Sequence, residues 1–188
     1  MNKTIGFALC GSYCTHATAL TALEKLVGNY SLVPVVSESV ANTDTRFGTA
    51  HDLMLELRRL CDTRVLTSIA ETEPFGPRKL LDLLIVAPCT GNTLGKLANG
   101  IADSSVTLAV KAHLRNNRPV VIAPSTNDGL ATSAQNIGVL LNRKNIYFVP
   151  FGQDDPIEKP DSLVADFSLL PLTVARALEG EQLQPILV

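Results

Sequence analysis

The sequence predicts an α/β protein, a three-layer αβα doubly wound parallel sheet of about six strands, and three observations carry that expectation. Short apolar runs such as Leu83-Leu-Ile-Val-Ala87 have no polar break, the pattern of a strand buried on both faces in a parallel sheet. These runs alternate with segments whose apolar residues recur at helical spacing, and right-handed crossovers convert that alternation into a doubly wound sheet. With 188 residues, 46% hydrophobic and 18% charged, the chain is long enough for one three-layer core. We expect a single domain over 1–188, of the Rossmann or flavodoxin type, with a C-terminal loop and helical tail from about residue 151.

Taken in order, Thr4–Leu9 is a first strand running into Cys10-Gly-Ser-Tyr-Cys-Thr15, and a helix carrying Ala19, Leu20, Leu23, Leu26 and Val27 follows. Ser31–Val36 is the second strand, its Pro34 pointing to an edge or a bulge, and it ends at Ser37. After a polar connection from Asn42 to Phe47, Thr49-Ala-His-Asp matches a capping box opening a helix with Leu53, Leu57, Leu60 and Cys61. Val65–Ser68 reads as a short third strand, and Glu71–Arg78 as a loop rich in proline and glycine.

Leu83–Ala87 is the central strand. Pro88 cannot donate to a ladder, so the strand is predicted to stop there, with Cys89–Thr93 as a small polar turn. A short helix with Leu94, Leu97 and Ala98 then ends at Asn99-Gly100. Asp103 is placed to cap the next helix, which runs to Leu114, with ligand contact by Ser104 as the sharper alternative. Pro119–Ala123 is the fifth strand and breaks at Pro124-Ser-Thr-Asn-Asp-Gly as the fourth does at Pro88. A helix over Leu130–Leu141, a strand over Ile146–Val149, a polar loop over Gly152–Pro160 and a helical stretch with Val174, Ala175 and Leu178 complete the chain. That polar loop is read as a plain surface connection, the alternative being a flap over a site.

A net charge of −2 gives no basic field, which disfavours nucleic acid and anionic membrane surfaces as partners, and the absence of tryptophan disfavours a base-stacking platform. Cys10-Gly-Ser-Tyr ends the first apolar run too soon for a signal peptide or membrane helix, so a cytoplasmic protein is expected. Cys10, Cys14, Cys61 and Cys89 form no C-x-x-C pair and have no histidine at ligand spacing, so neither a metal site nor a disulfide framework is expected. His16, His51 and His113 are read as solvated or helix-start residues.

The candidate site lies where strands end in small polar residues. Gly11 lets a ligand approach the backbone, Ser12 offers a hydroxyl, and the following helix start favours an anion, so this turn holds a phosphate or is purely structural. Ser37, at the end of the adjacent strand, shares that phosphate or caps its own turn. Cys89, Thr90, Gly91, Asn92 and Thr93, together with Ser125, Thr126 and Asn127, build a wall of neutral donors and acceptors suited to a polar ring or a carboxylate.

Pro88-Cys-Thr-Gly-Asn-Thr resembles the Pro-Ala-Ser-Ala-Asn-Thr motif of the homo-oligomeric flavin-containing cysteine decarboxylases, and Gly100-Ile-Ala-Asp resembles the Gly-Ile-Ala-Asp that follows it. Pro124-Ser-Thr-Asn is similar to the first half of that superfamily's Pro-x-Met-Asn-x-x-Met-Trp. The resemblance spans residue 4 to about 150. It implies bound FMN, with Ser12 and Ser37 at the phosphate and Thr90, Asn92, Thr93, Ser104 and Ser125 at flavin or substrate. Gly11, Cys89, Gly91 and Thr126 complete the expected cofactor-binding set. It further implies a homo-oligomer, trimeric or dodecameric, with the cofactor where protomers meet.

Two departures argue against cysteine decarboxylation: Glu73-Pro-Phe-Gly-Pro-Arg78 lacks the superfamily's histidine, and Asp128-Gly-Leu130 follows Asn127 where that motif runs on toward Met-Trp. Over its full length, including Phe151–Asp166, the chain resembles one component of a two-component oxidoreductase of sporulating bacteria. That likeness implies a Rossmann-like partner protein carrying NAD(P), and oxidation of a dihydropyridine dicarboxylate to its aromatic product. Asn92 and Asn127 are then expected to face substrate or ring edge, with Lys159 or Arg46 pairing with a substrate carboxylate. A stand-alone FMN-dependent decarboxylase or prenyltransferase-like flavoprotein, and a non-catalytic scaffold with a vestigial flavin pocket, stay open as alternatives.

Overall fold

The structure, a computed structural model, describes residues 3–188. In chain order the strands are β1 (Thr4–Leu9), β2 (Ser31–Val36), β3 (Leu83–Cys89), β4 (Val120–Thr126), β5 (Ile146–Phe148), β6 (Phe151–Gly152) and β7 (Leu163–Ala165). The helices are α1 (His16–Glu24), α2 (Glu38–Asn42), α3 (Ala50–Cys61), α4 (Ile69–Thr72), α5 (Phe75–Arg78), α6 (Gly91–Ala98), α7 (Ser105–Leu114), α8 (Ala134–Leu141) and α9 (Leu170–Leu178).

Strands β2, β1, β3 and β4 lie side by side in that order, all parallel. Every residue of β3 is buried, which is why its sequence shows no alternation: both faces are covered by helices. The connection from β1 leads outward to β2, whereas β3 lies on β1's other side. The strand order therefore reverses between β1 and β3, and the crevice at their carboxyl ends is where such sheets bind ligands.

The described residues form seven strands, in keeping with the expected sheet of about six, and the free edge of β4 is shared. Its first half, Val120–Ile122, pairs in parallel with β5, and its tip, Ser125 and Thr126, pairs antiparallel with β7. Strand β6 completes a hairpin on β7, and the C-terminal Leu187 bridges to Phe151 on it. The hairpin takes the place of part of the expected loop. Its strands contain only two and three residues, too few for any periodicity to register.

Neither proline ends its strand. Strand β3 continues through Pro88 to Cys89 with a register shift between Val86 and Cys89, and Cys89 then pairs with Pro124 inside β4. A shift of this kind lets a residue without an N–H sit in a ladder, since the irregular position needs no donor. The expected third strand reduces to a single bridge between Val35 and Leu66. There the Glu71 side chain accepts the N–H groups of Thr67 and Ser68, as part of the capping box that starts α4 and turns the chain away from the sheet.

Helix α8 starts at Ala134 rather than Leu130. The carbonyl of Asp128 accepts the N–H groups of Ala131 and Ser133, folding Asn127–Ser133 into turns. Helix α7 is capped by Ser104, not Asp103: the Ser104 hydroxyl accepts Thr107 N–H, and Asp103 is exposed and ion-paired with Lys96 at 2.9 Å. Gly100, at φ +71°, takes the left-handed conformation that ends α6 as expected. His16 starts α1, within the helix-start expectation, but it and His113 are buried, bonding the carbonyls of Cys10 and Pro119 respectively, whereas His51 is exposed on the first turn of α3.

Candidate functional site

The carboxyl ends of β1, β3 and β4 and the β6–β7 hairpin enclose an open cavity of about 860 Å³. From β1 comes Ser12, in the left-handed conformation at φ 60°, whose hydroxyl donates to the carbonyl of Ser125 at 2.6 Å. Thr15 Oγ1 bonds Ser125 Oγ at 2.8 Å. Strand β3 separates β1 from β4, so these two bonds carry the β1–α1 turn across the tip of β3 and fix it to β4.

The second wall is the start of α6. Thr90 is its N-cap: its hydroxyl accepts Thr93 N–H at 3.2 Å and donates to Thr93 Oγ1. The helix begins at Gly91, three residues earlier than a turn over Cys89–Thr93 implies. The N–H groups of Gly91 and Asn92 thus belong to the first turn, where no intrahelical acceptor exists. Gly91 is required by close approach. A Cβ there would lie 2.6 Å from Asp128 Oδ1 and 2.7 Å from both Ser133 Oγ and Thr126 Oγ1. Asp128 binds that trio together, accepting the hydroxyls of Thr126 and Ser133.

The hairpin supplies the third wall through Asp154, Lys159, Ser162 and Val164. The connection expected to be a bare surface loop is therefore part of the site. Lys159 Nζ lies 3.3 Å from Asp154 Oδ2. The Ser162 hydroxyl, with Lys159 beside it, holds the Asp154 carboxyl below its usual range.

Of the residues expected at the site, Ser12, Thr90, Gly91, Asn92, Ser125, Thr126, Asn127 and Lys159 line this one cavity. Gly11 adjoins it, a Cβ there falling 3.3 Å from Thr90 Cγ2. Ser37 and Ser104 do not join Ser12. Ser37 caps α2 and bonds Ser39 at 3.0 Å, and its N–H donates to Leu9. The Ser105 hydroxyl donates to the Val36 carbonyl and its N–H to Glu38 Oε1, bringing the start of α7, with Ser104, to the tip of β2. The two serines thus share the outer flank of the switch point, across the Cys10–Ser12 turn from the cavity.

Cys89 and Thr93 are buried. Burial raises the Cys89 thiol well above its ordinary range and pushes that of Cys10 up to about 11, so neither presents a thiolate. Arg46 is placed elsewhere, with its guanidinium 4.8 Å from the Phe47 ring centre. Phe47 lines a separate cavity of about 310 Å³ with Tyr13, Leu20, Val40 and Leu53. Sequence reasoning missed Thr15, Thr18, Asp128, Asp154 and Ser162. Thr15 and Asp128 had a signal, inside Cys10-Gly-Ser-Tyr-Cys-Thr15 and Pro124-Ser-Thr-Asn-Asp-Gly; the hairpin residues come to the site by tertiary pairing.

Among the described residues no helix is long and apolar enough to cross a membrane. Residues 1–167 match the flavoprotein family. The chain is 48% identical over 187 residues to the B subunit of dipicolinate synthase from Bacillus subtilis (strain 168), covering 99% of this chain and 94% of that one. The crystal structure of the corresponding dipicolinate synthase chain from Bacillus halodurans superposes with a TM-score of 0.91 at 44% identity, covering 100% of this chain and 98% of the other. The FMN-dependent cysteine decarboxylase TvaF superposes with a TM-score of 0.58 at 31% identity, over 74% of this chain and 85% of its own. On these grounds the chain belongs to the flavoprotein family, and within it to the group formed by the B subunits of dipicolinate synthase.

Proposed function

We propose that this chain acts with the A subunit of dipicolinate synthase to oxidise dihydrodipicolinate to dipicolinate, through an FMN site at the tips of β1, β3 and β4. The observation that carries the reading is the cavity itself: hydroxyls and amides from three strand ends, with one cation, Lys159, on the hairpin, and two carboxylates, Asp128 and Asp154, each already engaged by a side chain of the protein. Neutral donors suit a ring with polar edges, and a cation suits a carboxylate.

The donor set also fits FMN. Ser12 and the backbone at Gly11 would hold the phosphate, and the Gly91 backbone with Thr90, Ser125 and Thr126 would frame the ring, whereas Ser37, Ser104, Cys89 and Thr93 lie outside the cavity lining. When bound, FMN supplies a two-electron acceptor able to take a hydride. Asn92 and Asn127 present amide groups that bind and orient the substrate ring or its carboxylates. Lys159, not Arg46, is the cation within reach of that substrate. The hairpin and the Asn127–Ser133 turns close one side of the cavity against water. Loss of a hydride and a proton leaves an aromatic pyridine; the hydride acceptor would be FMN held here or an NAD(P) carried by the partner, and the proton would pass to solvent.

The motif departures at Glu73–Arg78 and Asp128–Leu130 speak against a stand-alone cysteine decarboxylase. One observation favours the scaffold reading: Ser12 already donates its proton to Ser125, so a phosphate finds a donor there only if that hydroxyl turns. An absorption spectrum with added FMN, followed by dihydrodipicolinate oxidation with and without the partner, separates these readings. Flavin binding and activity dependent on both chains support the proposal. Rejection of FMN, or full activity of the partner by itself, refutes it. Asn92→Ala is expected to lower turnover of the two-component enzyme by about 10- to 100-fold, the equivalent of the roughly 1.5–3 kcal/mol that one hydrogen bond to a charged group contributes.

A further inference from the structure

We propose that Asp154 is an internal stand-in for substrate, occupying Lys159 until a carboxylate of the pyridine dicarboxylate displaces it, an inference that rests on the function proposed above. Among the described residues lining the cavity Lys159 is the sole cation, and two carboxylates, Asp128 and Asp154, face the same space. Asp128 is engaged by the hydroxyls of Thr126 and Ser133, so Asp154 alone competes for the ammonium group.

The geometry makes the exchange cheap and local. At 3.3 Å the pair is longer than a tight charge-assisted bond of about 2.8 Å, and more than half of the Lys159 side chain is exposed. An ion pair so exposed shifts an equilibrium by no more than about fivefold. The backbone beneath it is tied down: Lys159 N–H donates to Asp155 O at 2.8 Å, Ser162 N–H donates to Lys159 O at 3.0 Å, and the Gln153 amide donates to Pro160 O at 2.8 Å. Only side chains need move. Once released, the Asp154 carboxylate, about one-third exposed, is met by solvent, so no charge is stranded. A dicarboxylate gains from the exchange through its second carboxylate, whereas a pyridine monocarboxylate held by the amide wall gains nothing. Lys159 thereby selects the diacid, and Asp154 sets how tightly the diacid product is held.

The test is calorimetric titration of pyridine-2,6-dicarboxylate and of pyridine-2-carboxylate into the FMN-loaded complex of both chains at low salt. Asp154→Asn is expected to tighten the dicarboxylate about two- to fivefold by removing its competitor, with the monocarboxylate unchanged. Lys159→Met should weaken the dicarboxylate and bring the two ligands to similar affinities. If the wild type binds the dicarboxylate but Asp154→Asn leaves it unchanged or weakens it, the stand-in role is overturned and the proposed function stands. If the wild-type complex does not bind the dicarboxylate at all, both are overturned.

Discussion

Replacing Gly91 by alanine tests how the start of α6 is fitted against the turn after β4. The added methyl would meet Asp128 Oδ1 at 2.6 Å and Ser133 Oγ and Thr126 Oγ1 at 2.7 Å. These side chains are short and bonded to one another, so none retreats without loosening the Asp128 hydrogen bonds. Overpacking costs about 1–3 kcal/mol and each lost hydrogen bond about 1 kcal/mol, which places Gly91→Ala near 3 kcal/mol of destabilisation. For a chain of this size that lowers the melting temperature by about 6–12 °C. Asp128→Ala removes the central acceptor and opens space for the methyl. The double variant is therefore expected to lose at least about 1 kcal/mol less than the two single variants added together. Urea unfolding followed by circular dichroism measures all four proteins. A Gly91→Ala protein as stable as wild type, or strict additivity in the cycle, refutes the claimed contact between α6 and the Asn127–Ser133 turns.

Burial lowers the pKa of His113 to about 4, below the unfolded value near 6.5, so the folded state favours neutral imidazole. A depressed folded pKa means this contribution is fully present above pH 6.5 and is lost as pH falls toward 4, to a total of roughly 3 kcal/mol. Urea midpoints at pH 7.5 and 5 check it, and His113→Asn should flatten the profile. At α7, Ser104→Ala removes the cap and is expected to cost about 1 kcal/mol, whereas Asp103→Ala breaks only an exposed pair with Lys96 and should leave stability nearly unchanged. The reverse order in thermal melts would restore Asp103 as the cap. Asp82→Ala removes a carboxylate that accepts Thr4 N–H at 2.8 Å and should loosen the start of β1, read as faster hydrogen exchange at Thr4.

The parallel core was legible because burial on both faces leaves a mark on every residue of a strand, as in Leu83-Leu-Ile-Val-Ala87. The site was legible where polar residues follow such a run in sequence: Thr90, Gly91, Asn92, Ser125, Thr126 and Asn127 all reach one cavity. Proline misled twice, because its missing donor was weighed without the register shift that tolerates it. The adjacency of β1 and β2 suggests that Ser12 and Ser37 meet, but adjacency of strands does not fix the direction of the turns that leave them. Ser12 turns over β3 to Ser125, and Ser37 turns the other way into α2. Asp154 and Ser162 were not singled out, although a flap over a site was the alternative reading of the Gly152–Pro160 loop, since what brings them to the cavity is the pairing of Leu163 with Thr126.

That pairing explains why the cavity has a charged wall. A parallel strand at β4's edge runs toward the tips in step with β4, as β5 does, so its preceding loop lies at the opposite end of the sheet and leaves the mouth open to solvent. Because β5 stops at Phe148, the last two residues of β4 keep an unpaired edge, and an antiparallel partner can fill it only if its connecting loop lies beside the strand tips. Gly129 fixes the fit, since a Cβ there would lie 2.7 Å from the Leu163 side chain, and Leu130 N–H donates to Asp161 O. The hairpin loop is thereby held between the turn after β4 and the C-terminal strand segment, and Lys159 comes to share one cavity with Asn92 as a consequence of how one edge was divided.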